Sequence, residues 1–282
     1  MNKSIITNIS VEEIIRMYND GTSTIELAKI AGYKSAISII NILTKNNVIR
    51  RKYSPKNNRK RKIDESIFIN IDSSDKAYLV GLLCSDGSID KDGYGFQLRS
   101  KDIELLQYCK EILKSEHKIC KVITFDKRSG KTFIGYNIHF CSKKMVNDLN
   151  KLGLTNNKSF TCKMPAIQDI YFWDFFRGLF DGDGCAIDGE DGRVKIKIIA
   201  AEPIAVKIKE VFLKNNLSDT KPTLIAEENN NKIYSIKQNS YKDILFIRDM
   251  MYQNANYKLE RKYNILNTLK EYKRGSYQRK LC

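Results

Sequence analysis

Two acids, Asp86 and Asp183, each close a short apolar stretch of the same design. The first stretch reads Tyr78-Leu-Val-Gly81-Leu-Leu-Cys-Ser85-Asp86-Gly87, and the second Phe175-Phe-Arg-Gly178-Leu-Phe-Asp181-Gly182-Asp183-Gly184. On a helix, positions i and i+4 share one face. Gly81/Ser85 and Gly178/Gly182 are then two stripes without bulk, along which two backbones can approach closely. Packed stripe to stripe, the helices bring Asp86 and Asp183 together at their ends. Two carboxylates there repel unless a divalent cation sits between or beside them. That chemistry is metal-assisted attack on a phosphodiester.

The elements around the acids read as one plan used twice. In the first copy a helix (about 75–86) precedes strands near 88–91 and 94–99, a helix near 102–114, strands near 118–125 and 132–141, and a helix near 143–151. The second copy repeats the order at about 170–183, 185–188, 192–200, 203–215, 221–227, 232–238 and 240–251, and Lys258–Lys273 adds a basic helix. Ahead of both, residues 10–52 read as three short helices. Ser10, Thr22 or Ser23, and Ser35 stand at cap positions, and Glu13 completes a capping box. The pattern resembles a helix-turn-helix module, whose second helix, here Lys34–Lys45, enters the major groove and places Lys34 at the DNA. The run from Arg50 to Lys62 has no apolar periodicity and reads as an extended linker, with Arg50 and Arg51 tracking phosphate. The predicted domains are 1–49, a linker 50–65, and repeats 66–165 and 166–282.

Composition narrows the partners. Of 282 residues, 49 are Lys or Arg and 33 are Asp or Glu, a net charge of +16 that favours a polyanion. The longest apolar stretch, Ala77 to Cys84, is too short for a membrane span, and the N-terminus lacks a signal-peptide core. The seven cysteines are scattered singly and only two histidines exist, which argues against a zinc site and for reduced thiols inside a cell. The abundance of Asn, Lys and Ile points to A·T-rich coding, as in a phage, an organelle or a low-GC bacterium, and a bacterial or phage cytoplasm is expected ahead of an organelle.

One strand face carries a single sign of charge. Arg193-Val-Lys195-Ile-Lys197-Ile198 alternates cation and apolar residue, so Arg193, Lys195 and Lys197 share a face. Gln97 and Arg99 alternate likewise in Phe96–Arg99, and Lys237 and Gln238 end a third such strand. A two-stranded ribbon fits the major groove, where Arg and Lys pair with guanine and Gln with adenine.

Together these residues resemble the LAGLIDADG homing endonucleases in their single-chain, two-motif form, over residues 66–275. Phe176-Arg-Gly-Leu-Phe-Asp-Gly-Asp-Gly184 is similar to the family motif in its glycines, leucine and both acids. Leu79-Val-Gly-Leu-Leu-Cys-Ser-Asp-Gly87 departs at Cys84, where the earlier acid stands. The resemblance implies an α+β fold: two pseudo-symmetric αββαββα repeats form a DNA-binding antiparallel β-saddle behind the small all-α domain. It also implies a monomer that cuts both strands of duplex DNA with Mg²⁺ or Mn²⁺. Asp86 and Asp183 are the implied catalytic acids, with the carbonyls of Ser85 and Gly182 as further metal ligands. A lysine late on a strand is implied beside the attacking water. Lys237 fits in the second copy, and Cys141, with Lys143 nearby, takes the place in the first. Arg261 and Lys262 are expected to grip DNA backbone, as is Lys158. Two alternatives share the fold: a transcription regulator with inactive sites, and a maturase that binds intron RNA.

Overall fold

The computed structural model describes residues 9–49, 61–127, 130–156, 158–188, 194–218 and 221–269. The chain divides into two compact units, Met1–Lys60 and Arg61–Cys282. Among the described residues, no helix is long and apolar enough to cross a membrane.

In the first unit, α1 (Val11–Asn19), α2 (Thr24–Ile30) and α3 (Ala36–Lys45) begin at capping serines. Ser10 Oγ accepts from the Glu13 amide and Ser23 Oγ from the Glu26 amide, both at 3.2 Å. Ser35 Oγ accepts from the Ile37 amide at the same distance. Each bond satisfies a donor that a helix start leaves open. Ile14, Tyr18, Leu27, Ala28, Ile39 and Leu43 meet in a separate small core. Gly32, at φ 76°, supplies the left-handed residue that turns α2 into α3.

The second unit contains the duplicated plan. The first repeat runs α4 (Ser74–Ser85), β1 (Gly87–Ile89), β2 (Gly95–Ser100), α5 (Ile103–Ile112), β3 (Cys120–Asp126), β4 (Lys131–Cys141) and α6 (Lys143–Lys151). A four-residue helix α7 (Lys158–Thr161) leads to the second repeat: α8 (Phe172–Asp183), β5 (Cys185–Asp188), β6 (Val194–Ala201), α9 (Glu202–Lys214), β7 (Thr223–Glu228), β8 (Asn231–Gln238) and α10 (Tyr241–Tyr252). Helix α11 (Glu260–Asn267) falls within the predicted basic helix Lys258–Lys273, of which residues 270–273 lie outside the described residues. Each repeat forms an antiparallel four-stranded sheet, in the orders β1-β2-β4-β3 and β5-β6-β8-β7. Period-two alternation sets the faces. Phe96, Leu98, Ile138 and Phe140 are buried in one sheet, and Val194, Ile196, Ile198 and Ile236 in the other. Their intervening neighbours form the outer face.

The end of the predicted linker belongs to the first repeat. The Lys62 amide donates to Glu116 Oε2 at 3.0 Å, and the Asp64 amide to the Leu113 carbonyl at 3.0 Å. Ser142 Oγ donates to Glu65. Charge density predicts an open chain there, but Glu116, Leu113 and Ser142 supply partners for its polar groups. Residues 50–60 lie outside the described residues.

Candidate active site at the paired helix ends

Helices α4 and α8 pack through their glycine stripes. A Cβ on Gly81 would lie 2.0 Å from the Phe175 carbonyl oxygen, and one on Gly178 would lie 2.1 Å from the Tyr78 carbonyl oxygen. At the end of the seam, a Cβ on Gly182 would meet Ser85 Oγ at 2.0 Å and Asp86 Cγ at 3.3 Å. Only hydrogen fits at these positions, so the helices approach backbone to backbone. The seam brings Ser85, Asp86, Gly182 and Asp183 to one place, as the spacing of the small residues predicts.

Burial acts on both acids, and repulsion adds to it at Asp86. The Asp86 carboxyl is pushed up to about 6, first by burial and then by the charge of Asp183. Asp183 reaches solvent as a residue, yet protein crowds its carboxylate and raises its pKa as well. Lys262 and Lys158 pull in the opposite direction on both acids. A cavity of about 220 Å³ opens beside Asp183, lined by Lys158, Cys84, Cys162 and Ile199 among others.

Two lysines close the helix ends in matching fashion. Lys262 Nζ donates to the carbonyls of Phe180 (2.5 Å), Asp181 (2.8 Å) and Gly182 (3.1 Å). Lys158 Nζ donates to the Cys84 carbonyl at 2.9 Å and to the Ser85 carbonyl. Cys84 and Ser85 occupy in the first motif the positions of Asp181 and Gly182 in the second, so each repeat's lysine binds the same two carbonyls. These are groups that a helix C-terminus leaves open and partly negative. The expectation that Lys158 and Lys262 grip DNA backbone is therefore corrected. Lys262 is only 4% exposed, and burial drives its pKa down to about 8. Both lysines follow a polar stretch after the last helix of their repeat. Aligning the two copies by that feature could have paired them from sequence.

A buried polar network breaks the symmetry. Tyr78 Oη donates to Asp181 Oδ2 at 2.9 Å across the seam. The positions related by the repeat are Phe175 and Cys84, both apolar, so the cross-seam bond exists once. Asp181 is 1% exposed and its pKa is raised to about 6, chiefly by burial. Arg177, also 1% exposed, donates to Asp174 Oδ1 (2.9 Å) and the Met251 carbonyl (2.7 Å) and lies 4.9 Å over the Tyr78 ring. Cys84, in place of the acid, sits with its Sγ 3.5 Å from Cys162 Sγ.

The remaining predicted residues lie on the outer faces or elsewhere. Lys195, Arg99 and Lys237 are exposed, and Gln97 and Lys197 are half-buried on the same faces. Gln238 is corrected: it is 3% exposed, and its Oε1 accepts from the Asn239 and Ser240 amides. It closes the end of β8 and cannot read a base. Arg261 pairs with Asp102 at 2.9 Å. Lys34 is exposed in the first unit, while Arg50, Arg51 and Arg193 fall outside the described residues. The counterpart of Lys237 is also corrected. Cys185 pairs with Lys197, which pairs with Lys237; Ser88 pairs with Gln97, which pairs with His139. Ser88 and Cys185 both stand two residues after their acids, so His139, not Cys141, matches Lys237.

No family model matches this chain, and no curated sequence is similar to it. Among solved structures the chain is similar to the homing endonuclease I-WcaI bound to its DNA recognition sequence, at 13% identity over 78% of this chain and 96% of that one, with a TM-score of 0.49. It is similar to the I-LtrWI LAGLIDADG homing endonuclease bound to target DNA, at 16% identity over 71% and 90%, TM-score 0.43. The N-terminal LAGLIDADG domain of DUF199/WhiA matches at 17% identity over 77% and 98%, TM-score 0.40.

Proposed function

We propose that this chain is a site-specific double-strand DNA endonuclease of the LAGLIDADG class, with Asp86 serving one strand and Asp183 the other. The glycine-lined seam carries the reading. It presses two carboxylates together at a cost that a structural role does not require, and Asp86 pays it with a pKa near 6.

Mg²⁺ or Mn²⁺ fits the donor set. Two carboxylates, completed by water and phosphate oxygens, are ligands that Mg²⁺ accepts, and a cation there relieves the repulsion. When bound, the metal activates water and stabilises the leaving 3′-oxygen. The carbonyls of Ser85 and Gly182 are already engaged by Lys158 and Lys262, so the carboxylates are its principal protein ligands. Lys158 and Lys262 hold the helix ends in place and offset the negative charge before the metal arrives. Lys195, Lys197, Lys237, Arg99 and Gln97 contact the duplex, with Lys237 near a phosphate or its water. The three-helix unit lengthens the target, and tethering raises effective concentration without new contacts in either unit.

A second reading is a DNA-binding regulator without cleavage. The two ammoniums seated on the helix-end carbonyls favour it, because they supply cations without any metal. Incubating the full chain with a plasmid library of randomised inserts and Mg²⁺, then sequencing new ends, separates the two. Double-strand ends at one recurrent sequence support the endonuclease. Retained duplex binding without cleavage in Mg²⁺ or Mn²⁺ supports the regulator.

A further inference from the structure

The two sheets are not equivalent in the row just beyond the acids. In the second repeat that row is Cys185, Lys197 and Lys237; in the first it is Ser88, Gln97 and His139. His139 is held. Its Nε2 lies 2.7 Å from Asp90 Oδ2, and its Nδ1 lies 3.6 Å from Cys141 Sγ. The fold makes room for this pair. A Cβ on Gly95 would lie 2.4 Å from Asp90 Oδ2 and 3.0 Å from His139 Nε2. Asp90 and Cys141 are the titratable groups facing the imidazole. Gln97 and Ser88 share its row, Arg99 and Asn137 occupy the next row on this face, and Lys143 is turned to the Tyr94 ring at 5.1 Å.

We propose that His139, oriented by Asp90, is the proton acceptor for the strand cut at the first repeat, so that the two strands are cut with different pH dependence. This rests on the endonuclease reading above. With Nε2–H donating to Asp90, Nδ1 is left as the acceptor nitrogen and faces the Cys141 thiol at 3.6 Å, a weak donor that an incoming water displaces; a carboxylate fixes an imidazole as a base in this way. A water gives its proton to Nδ1, its oxygen bonds to phosphorus, and the P–O3′ bond breaks. The departing 3′-oxygen takes a proton from solvent. An imidazole that has taken up a proton no longer accepts one, so this strand slows as pH falls, whereas the matching row of the second sheet carries no imidazole. Asp90 is a positioning residue, since it acts through the imidazole.

The test uses the full chain, Mg²⁺ and a supercoiled plasmid carrying the site recovered from the library. Rates for each strand are read as nicked and linear product from about pH 8 to about pH 5.5. Wild type is expected to accumulate nicked circles at low pH, with the first-repeat strand intact. His139→Gln is expected to slow that strand about 100-fold or more throughout. Asp90→Asn is expected to slow it and to move its fall to lower pH, a change that loss of a merely structural contact does not produce. His139→Lys is expected to make the strands fall together. Parallel pH profiles in wild type overturn the proposal, as does a strand difference that persists in His139→Lys, which assigns it to Asp86 itself. Absence of cleavage at every pH instead overturns the endonuclease reading, and this proposal with it.

Discussion

Gly178→Ala probes the seam on which the site depends. The added Cβ would sit 2.1 Å from the Tyr78 carbonyl oxygen and 2.7 Å from the Leu82 nitrogen, both backbone atoms of α4. Neither can rotate away, so α4 and α8 must part by about 1 Å to restore an ordinary contact. Over-packing of this kind costs about 1–3 kcal/mol or more. Alanine's better helix propensity returns up to about 1 kcal/mol. The net expectation is a loss of about 1–2 kcal/mol, or roughly 2–8 °C in Tm for a unit of this size. Trp173, the single tryptophan, lies on α8 and reports this unit without interference from the first. Thermal unfolding followed by its fluorescence is the assay. Gly135→Ala is the control, because a Cβ there meets nothing closer than the Ser100 carbonyl oxygen at 3.5 Å. A Gly178→Ala protein as stable as that control would refute the backbone-to-backbone seam. If the seam is as described, the variant also loses metal-dependent cleavage well below its own Tm, because the two carboxylates separate.

Three further outcomes are expected. Lys262→Met keeps the stem and removes the ammonium from the carbonyls of residues 180–182; plasmid cleavage should stall at the nicked circle with duplex affinity little changed, and unaltered linearisation on a gel contradicts this. Stability tests Asp181, whose folded pKa of about 6 lies above the ordinary 3.8. A raised carboxyl contributes stability that is present below pH 3.8 and lost as pH rises to about 6, so the stability of wild type relative to Asp181→Asn should fall by about 3 kcal/mol across that window. A constant difference in urea unfolding between about pH 4 and 7 contradicts it. Lys195→Ala should weaken duplex binding and lower the slope of log affinity against log salt by about 1, and an unchanged slope places that strand face away from DNA.

Much of this architecture was legible in the chain because it rests on local spacing. The small residues at i and i+4 announced the seam, and the capping serines announced the three N-terminal helices. Strict alternation in Val194–Ile198 announced which strand face is core. What escaped depends on contacts distant in sequence. Lys158 and Lys262 look like surface cations until the folded chain sets each ammonium on helix-end carbonyls, 74 residues earlier at Cys84 and 81 residues earlier at Asp181. Gln238 continues a polar alternation, yet the turn at Asn239–Ser240 claims its side chain. His139 was hidden by register, since a shift of two residues along β4 exchanges it with Cys141 on the same face. The Tyr78–Asp181 bond joins positions whose repeat mates are Phe175 and Cys84, so no internal symmetry pointed to it.

Cleavage by the two single variants Asp86→Asn and Asp183→Asn, compared strand by strand with wild type in Mg²⁺, addresses the shared-cation site most directly. Each substitution keeps the side chain's shape and removes one anionic ligand. Linear product is expected from wild type, nicked circles at most from either single variant, and none from the double, with duplex binding retained by all. Near-normal linear product from either single variant would contradict the shared-cation site.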